Sequence, residues 1–199
     1  RIESFMPDNT VRLPDFVVPE GETAGQALAI LCLEGAKEKG FADKSEYIER
    51  LKYEVGVIDE RGFSKYFLTM KKIAEEATRM QLTGAGRGSA AGSLAAYALG
   101  ITQVDPIRYG LQFERFLTKG GSGYPDIDYD VSNPMVLKEH LINEWGDDVV
   151  VPITNWNTLQ LRSLIKDISK FFDIEFTEVN AVTNKMVFEA TPLAKKAHG

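Results

Sequence analysis

The chain has 199 residues, of which 44% are hydrophobic and 26% charged, a globular composition that excludes wholesale disorder, a collagen repeat and a disulfide scaffold. A single cysteine, Cys32, and no apolar run of about 18 to 20 residues indicate a cytoplasmic protein without a membrane-spanning segment. The formal net charge of −6 argues, at first sight, against a nucleic-acid partner.

The first eighty residues predict an arm followed by three helices. Residues 1–22 are punctuated by prolines, which is typical of an extended linker or arm. The segment Thr23–Gln26 has the spacing of a capping box and predicts a helix that ends near Lys39. A second helix is expected from about Asp43. The apolar spacing predicts a third helix over Ser64–Met80.

The remaining elements are shorter. Residues 84–100 are rich in glycine and alanine, and Ala90–Leu99 is predicted to form a tightly packed helix. Leu137–Trp145 also has a helical pattern. Val149–Val151 predicts a short strand. Leu159–Phe172 predicts a further helix with its apolar residues on one side.

The glycine-rich segment Gly84–Ser93 is the strongest local motif. A glycine-rich turn that enters a helix presents free backbone N–H groups, which bind phosphate. Arg87 offers a charge-assisted contact, and Ser89 can cap the helix and contact a phosphate oxygen. The dinucleotide-binding and P-loop motifs fit poorly, because a helix is predicted before the turn and the P-loop lysine is absent. The alternative interpretation is a glycine-alanine helix packed closely on a neighbour.

A second motif, Tyr124–Asp130, alternates acidic and apolar residues. In a strand, the side chains of Asp126, Asp128 and Asp130 would share one face. Carboxylates this close repel each other unless cations are present, and magnesium accepts one or two carboxylates together with substrate phosphates. The alternative is an exposed acidic edge or loop.

Together, the two motifs predict nucleotidyl transfer. The turn would hold an incoming triphosphate, and the carboxylates would hold metal ions at the reacting phosphate. We therefore expect an α+β fold, in which a mixed sheet carries the aspartates and helices from the first hundred residues pack on one face.

Three segments resemble one known family. Gly86–Thr102, Asp105–Leu111 and Pro125–Asp128 are similar to the palm of bacterial and phage family C replicative DNA polymerases, the family of the DNA polymerase III alpha subunit. The similarity extends, in the family's order, over roughly residues 12–180. It implies a polymerase-beta-like nucleotidyltransferase palm with a partial helical thumb.

The resemblance also implies domains. Residues 1–22 would be the linker or arm, residues 23–157 an incomplete palm, and residues 158–199 the start of the thumb. The family's third catalytic aspartate lies after the thumb, and the chain starts at Arg1 rather than Met. We therefore expect a fragment that is inactive in isolation.

The resemblance assigns roles to matching residues. Asp126 and Asp128 would be catalytic and would hold two magnesium ions in the intact enzyme, whereas Asp130 lies just outside the matched pair. Gly88, Ser89 and Arg115 match residues that contact the nucleotide triphosphate. Arg87, beside them, is a further candidate for a phosphate contact.

Basic residues are concentrated in two places. Residues 61–120 carry nine basic and four acidic groups, although the whole chain is acidic. Arg162, Lys166 and Lys170 are spaced four apart and form one stripe on the predicted thumb helix. The stripe predicts contact with duplex phosphates, and the alternative is a solvated basic face.

The function predicted from these observations is that of a DNA-directed DNA polymerase, which adds deoxynucleoside triphosphates to the 3′ hydroxyl of a primer on template DNA. Other replisome subunits are candidate partners, and no membrane is involved. Two alternatives stay open: another palm-type nucleotidyltransferase, and a non-catalytic fragment that binds DNA or nucleotide. A purely structural module would leave both motifs unexplained.

Overall fold

The computed structural model describes Phe16, Val18, residues 20–153 and residues 160–197, with side chains up to Met186. The chain divides into two compact units, Arg1–Val150 and Val151–Gly199. Most of the predicted arm lies outside the described residues. The predicted boundary between palm and thumb, after residue 157, also lies outside them.

Helices dominate the described residues. The α-helices there are α1 (Ala24–Glu38), α2 (Ser45–Glu60), α3 (Ser64–Met80), α4 (Leu94–Ala98), α5 (Pro134–Trp145), α6 (Leu161–Phe171) and α7 (Phe176–Ala197). Two 3-10 turns, Ser89–Gly92 and Phe113–Arg115, flank α4 in the chain. Across the ranges that are described, no helix is both long enough and apolar enough to cross a lipid bilayer.

The helices of the amino-terminal part follow the predictions closely. The Thr23 hydroxyl accepts from the Gln26 amide at 3.2 Å, and the Gln26 side chain accepts from the Thr23 amide at 2.8 Å, which confirms the capping box. Helix α1 ends before Gly40, whose φ of +71° suits glycine. Helix α3 spans Ser64–Met80, as predicted, and α2 begins at Ser45, two residues later than expected.

The core of the first unit lies between α1, α2, α3 and α4. Its largest apolar side chains are fully buried, among them Leu28, Ile58, Phe67, Leu94 and Phe113. Burial of these side chains stabilises the unit by roughly 1.5–3 kcal/mol each, by area. The helical layer therefore provides a rigid base for the loops between α3 and α5.

The predicted continuous helix over Ala90–Leu99 is wrong, because the chain bends at Ser93. Ser93 has extended backbone angles, and it separates the first 3-10 turn from α4. Its hydroxyl accepts from the Ala96 amide at 3.1 Å and thereby caps α4. The serine hydroxyl stabilises a new helix start better than it stabilises a helix interior.

The predicted α+β fold with a mixed sheet is also wrong. The described residues contain no strand, and the nearest approach to one is a single antiparallel bridge between Thr83 and Val131. Beside this bridge, the Gly84 amide donates to the Asp130 carbonyl at 2.8 Å. The structure is therefore helical, with one short extended contact.

The sheet is absent because the alternation of acidic and apolar residues can favour a strand but cannot supply a neighbouring strand to pair with it. The alternation itself is present, since Pro125 and Ile127 are buried and Asp126 is exposed. The Ile127 amide donates to the hydroxyl of Tyr66 at 3.3 Å, where a sheet would offer a carbonyl. The strand predicted at residues 149–151 is absent too, and this segment is irregular.

The second unit is an antiparallel pair of helices, α6 and α7. The guanidinium of Arg162 donates to the Asn184 side chain at 2.6 Å, and the Lys166 amine donates to the Asn180 side chain at 2.9 Å. Helix α6 confirms the helix predicted near residues 159–172.

Candidate nucleotide and metal site

The glycine-rich turn between the bridge and α4 adopts a backbone that depends on its glycines. Gly86 has a φ of +132° and Gly88 a φ of +66°, in a region that side chains other than glycine rarely enter. The first 3-10 turn then begins at Ser89. The two glycines therefore bring an exposed stretch of backbone to the start of a short helical segment.

This turn lies directly against the carboxylate segment. A Cβ atom built on Gly88 would be 2.5 Å from Oδ2 of Asp128, closer than non-bonded atoms approach. The contact joins two motifs that are about 40 residues apart in the sequence. A phosphate on the turn's backbone would therefore lie beside this carboxylate.

Arg87 pairs with the carboxylates in this structure. Its Nη2 atom is 3.3 Å from Oδ1 of Asp128, and its Nε atom is 3.4 Å from Oδ2 of Asp130. The guanidinium thus relieves the repulsion between acidic side chains that the alternating motif creates. Its predicted contact with a triphosphate stays a prediction.

The two predicted metal ligands are accessible. Asp126 is exposed, and the side chain of Asp128 keeps 40% of its surface accessible. Within the described part of the chain, Asp126 has no ion pair, and Asp128 pairs with Arg87 alone. Carboxylate oxygens are hard donors that magnesium prefers, so the chemistry of the donor set fits this ion.

A cavity of about 600 Å³ opens beside the turn. Its volume lies within the range of roughly 300–1,000 Å³ that is common for ligand sites. The residues that line it are Gly88, Ser89, Gly92, Gly110, Leu111, Gln112 and Arg115. The structure therefore brings Gly88, Ser89 and Arg115 together around one cavity, and Arg87 is not part of its lining.

Arg115 reaches this cavity from the second 3-10 turn. The turn is anchored by Phe113, which is fully buried, and by Phe116, whose ring centre lies 6.1 Å from that of Phe113. Arg115 itself is exposed, and among the residues whose side chains are described it has no ion pair. Its guanidinium is available to an anionic ligand.

The two walls of the cavity touch at one glycine. A Cβ atom on Gly92 would lie 2.7 Å from the Gln112 carbonyl oxygen. This close approach explains why a glycine follows the turn, since any larger residue would push the walls apart.

Glu54, a residue of α2 with no predicted role, lies next to the residues that follow the first cavity wall. Glu54 is fully buried and accepts from Nε of Arg50 at 2.6 Å, from the Ser93 hydroxyl at 3.0 Å and from the Ala95 amide at 3.0 Å. Burial raises the pKa of Glu54, while the hydrogen bonds from the α4 amides and Arg50 oppose that rise. The sequence does contain a signal for this buried charge, because Glu54 lies on the same face of α2 as the apolar Leu51.

Two tyrosines hold the carboxylate segment on α3. The Tyr129 hydroxyl lies 3.3 Å from both the Ala74 carbonyl and the Thr78 hydroxyl, and Tyr66 accepts from Ile127. Burial raises the pKa of Tyr66 above its ordinary value. The carboxylate segment is thus positioned by side chains.

The predicted DNA-binding stripe lies in the second unit. Arg162 and Lys166 bind asparagines of α7, and the Lys166 amine also lies 5.1 Å from the ring centre of Phe176. The Lys170 amine is 3.5 Å from a carboxylate oxygen of Asp167, and its side chain is 75% exposed. Contact of the stripe with DNA stays a prediction.

Comparison with known proteins agrees with the motifs. Residues 26–198 match the family described as the bacterial DNA polymerase III alpha NTPase domain. The chain is 38% identical over 177 residues to DNA polymerase III subunit alpha of Aquifex aeolicus, which covers 85% of this chain and 15% of that protein. The corresponding subunit of Borreliella burgdorferi is 39% identical over 176 residues, covering 86% of this chain and 15% of the relative. The chain therefore spans about one seventh of these relatives and belongs to the bacterial DNA polymerase III alpha family.

Proposed function

We propose that the first unit forms the nucleotide- and metal-binding part of a DNA-directed DNA polymerase. The observation that carries this proposal is the contact between the glycine turn and the carboxylate segment, where a Cβ on Gly88 would meet Asp128 at 2.5 Å. A triphosphate bound at the turn would have its phosphates beside Asp128, and Asp126 lies two residues away in the same segment. This juxtaposition is what nucleotidyl transfer requires.

The triphosphate would be bound by main chain and side chain together. The backbone N–H groups of the turn and the Ser89 hydroxyl would donate to phosphate oxygens, and Arg115 would contribute a positive charge from the opposite wall. The cavity lined by these residues supports this assignment. The deoxynucleoside triphosphate is the proposed ligand, in keeping with the family.

Asp126 and Asp128 would hold two magnesium ions. When bound, the ions would activate the primer 3′ hydroxyl and stabilise the leaving pyrophosphate. Asp128 would turn one oxygen toward the metal in exchange for its pairing with Arg87. The guanidinium of Arg87, freed in this way, would lie next to the phosphates.

The second unit is proposed to begin the thumb and to contact duplex DNA through the basic stripe. The Lys170 side chain is 75% exposed, whereas Arg162 and Lys166 are engaged with α7. Replacing Lys170 by Ala in the full-length protein should weaken duplex binding equally for all sequences and reduce its salt dependence. Equal salt dependence in variant and wild type would contradict this role.

An isolated chain that spans 15% of its relatives is proposed not to extend primers by itself.

The test of the catalytic assignment uses the full-length protein in a primer-extension assay with magnesium. Asp126→Asn and Asp128→Asn should abolish extension, because each removes a charged ligand without changing the size of the side chain. Asp43→Asn, an exposed aspartate in the loop between α1 and α2, is the matched control and should extend normally. Near-normal extension by either active-site variant would overturn the assignment.

A further inference from the structure

The cavity at the glycine turn has two walls that come from separate segments of the chain. One wall is the turn and first 3-10 helix, up to Gly92, and the other runs from Gly110 to Arg115. Helix α2 lies behind both walls. Its Arg50 places Nη2 3.1 Å from the Gly92 carbonyl oxygen and 3.3 Å from the Leu111 carbonyl oxygen. A single nitrogen therefore bridges the two walls.

The position of this guanidinium is fixed by its other contact. Nε of Arg50 donates to Glu54, one helical turn further along α2, at 2.6 Å. The side chain of Glu54 is fully buried and that of Arg50 keeps 24% of its surface exposed. Because a guanidinium is planar and rigid, holding Nε also sets the direction in which Nη2 points.

The second oxygen of Glu54 continues the same arrangement into α4. It accepts from the Ser93 hydroxyl and from the Ala95 amide, both at 3.0 Å. These groups follow directly after Gly92. The end of the first wall is therefore tied to α2 twice, by Arg50 at the Gly92 carbonyl and by Glu54 at Ser93 and Ala95, which follow it.

The buried charge of Glu54 must be compensated, because an unpaired buried carboxylate is strongly destabilising. The Arg50–Glu54 pair satisfies the carboxylate and directs its remaining hydrogen bonds at residues that line or adjoin the cavity. An apolar pair of similar volume would fill the same space but could not bind two carbonyl groups at once.

We propose that Arg50, oriented by Glu54, is a positioning residue that sets the separation of the two cavity walls and thereby the affinity of the site for the triphosphate. This inference rests on the proposed function, since it assumes that the cavity binds nucleotide. Arg50 acts through the backbone of Gly92 and Leu111 and does not itself contact the ligand.

The experiment measures single-turnover primer extension by the full-length protein over a range of deoxynucleoside triphosphate concentrations. Arg50→Lys keeps the positive charge beside Glu54 but replaces the rigid fork by a single amine. The apparent dissociation constant for the nucleotide should rise about tenfold, the effect of losing one or two well-placed hydrogen bonds. The maximal rate should change by less than about threefold, because the hydrogen bonds of Arg50 within the described residues go to Glu54, Gly92 and Leu111 and not to the carboxylate segment.

The matched control is Tyr47→Phe. Tyr47 also lies on α2 and donates a long-range hydrogen bond, to Asp105 at 2.8 Å, but neither residue lines the cavity. This variant should lose thermal stability to a similar extent and keep the wild-type nucleotide affinity. Equal nucleotide affinity in Arg50→Lys and wild type would overturn the proposal, as would an equal loss of affinity in Tyr47→Phe.

A second variant covers the case in which Arg50→Lys does not fold. Glu54→Gln keeps the shape of the side chain and one acceptor oxygen but removes the charge that orients Arg50. It should weaken nucleotide binding in the same direction, and unchanged affinity would contradict the inference. A failure of the proposed function is distinguished by a separate measurement. In that case Asp126→Asn would extend primers, independently of the nucleotide affinity of the Arg50 variants.

Discussion

The backbone of Gly88 lies in direct contact with the carboxylate of Asp128. A Cβ atom placed on residue 88 would be only 2.5 Å from Oδ2 of this aspartate. Two sequence motifs that are separated by α4 and the second 3-10 turn therefore lie in contact. The functional consequences of this contact can be tested by substitutions in the glycine turn and in the residues around the carboxylates.

Gly88→Ala should inactivate the full-length protein. Alanine is strained at a φ of +66°, and its methyl group would displace the Asp128 carboxylate. If Asp128 has the proposed catalytic role, primer extension should fall by about 100-fold or more, since a displacement of about 1 Å at a catalytic group has this effect. Gly56→Ala is the control, because Gly56 lies in α2 with nothing within 4 Å of its Cβ position. It should retain activity and gain up to about 1 kcal/mol of stability.

Arg87→Gln should separate the metal requirement from nucleotide binding. Without the guanidinium next to Asp128 and Asp130, the carboxylates attract magnesium more strongly. The magnesium concentration for half-maximal extension should fall by roughly twofold to fivefold, as expected for an exposed ion pair of up to about 1 kcal/mol. The nucleotide concentration for half-maximal rate should rise. Arg79→Gln, which breaks a surface pair with Glu76, should change neither quantity.

Tyr66→Phe should slow catalysis without weakening nucleotide binding. The variant removes the hydroxyl that accepts from the Ile127 amide, between the two aspartates. A lost hydrogen bond of about 1 kcal/mol predicts a maximal rate that is roughly fivefold lower. Tyr109→Phe, at an exposed tyrosine, is the comparison that should behave like wild type. A loss of nucleotide affinity equal to the loss of rate would argue against a role confined to the carboxylates.

Cys32 should resist alkylation until the protein unfolds. Its side chain is fully buried, and burial raises its pKa from 9.0 to about 12, with the nearby Glu54 carboxylate adding to the rise. The thiolate, which is the reactive form, is therefore about a thousandfold scarcer than in a free thiol below pH 9. Labelling with iodoacetamide at pH 8, with and without denaturant, measures this difference. Rapid labelling of the folded chain would contradict it.

The raised pKa of Cys32 also makes the stability of the fold depend on pH. The folded state keeps the Cys32 proton between pH 9 and about pH 12, where the unfolded chain releases it. The free energy of unfolding should therefore fall as the pH rises through this window. Cys32→Ala should flatten that part of the profile, which thermal unfolding across the pH range would reveal.

Local signals predicted α1, α2, α3 and α6, and the predicted sheet failed because a sheet depends on a distant partner. The capping box of Thr23 and Gln26 is a contact over three residues, so the sequence contains all of it. The alternation around Ile127 predicted a strand, but residues 121–130 do not form one. The sheet did not follow from it, because the Ile127 amide binds Tyr66, a residue 61 positions away.

The sequence by itself identified the family of the chain and supplied the two motifs from which its chemistry is proposed. Glycines that permit positive φ, alternating carboxylates and a characteristic order of motifs can be recognised without coordinates, because each depends on residue type and spacing. Tertiary structure alone decided that Gly88 lies against Asp128, that Arg87 pairs with the carboxylates and that Arg50 bridges two walls of one cavity. These are contacts between segments about 40 to 60 residues apart, which form only when the helices between them pack around a common core.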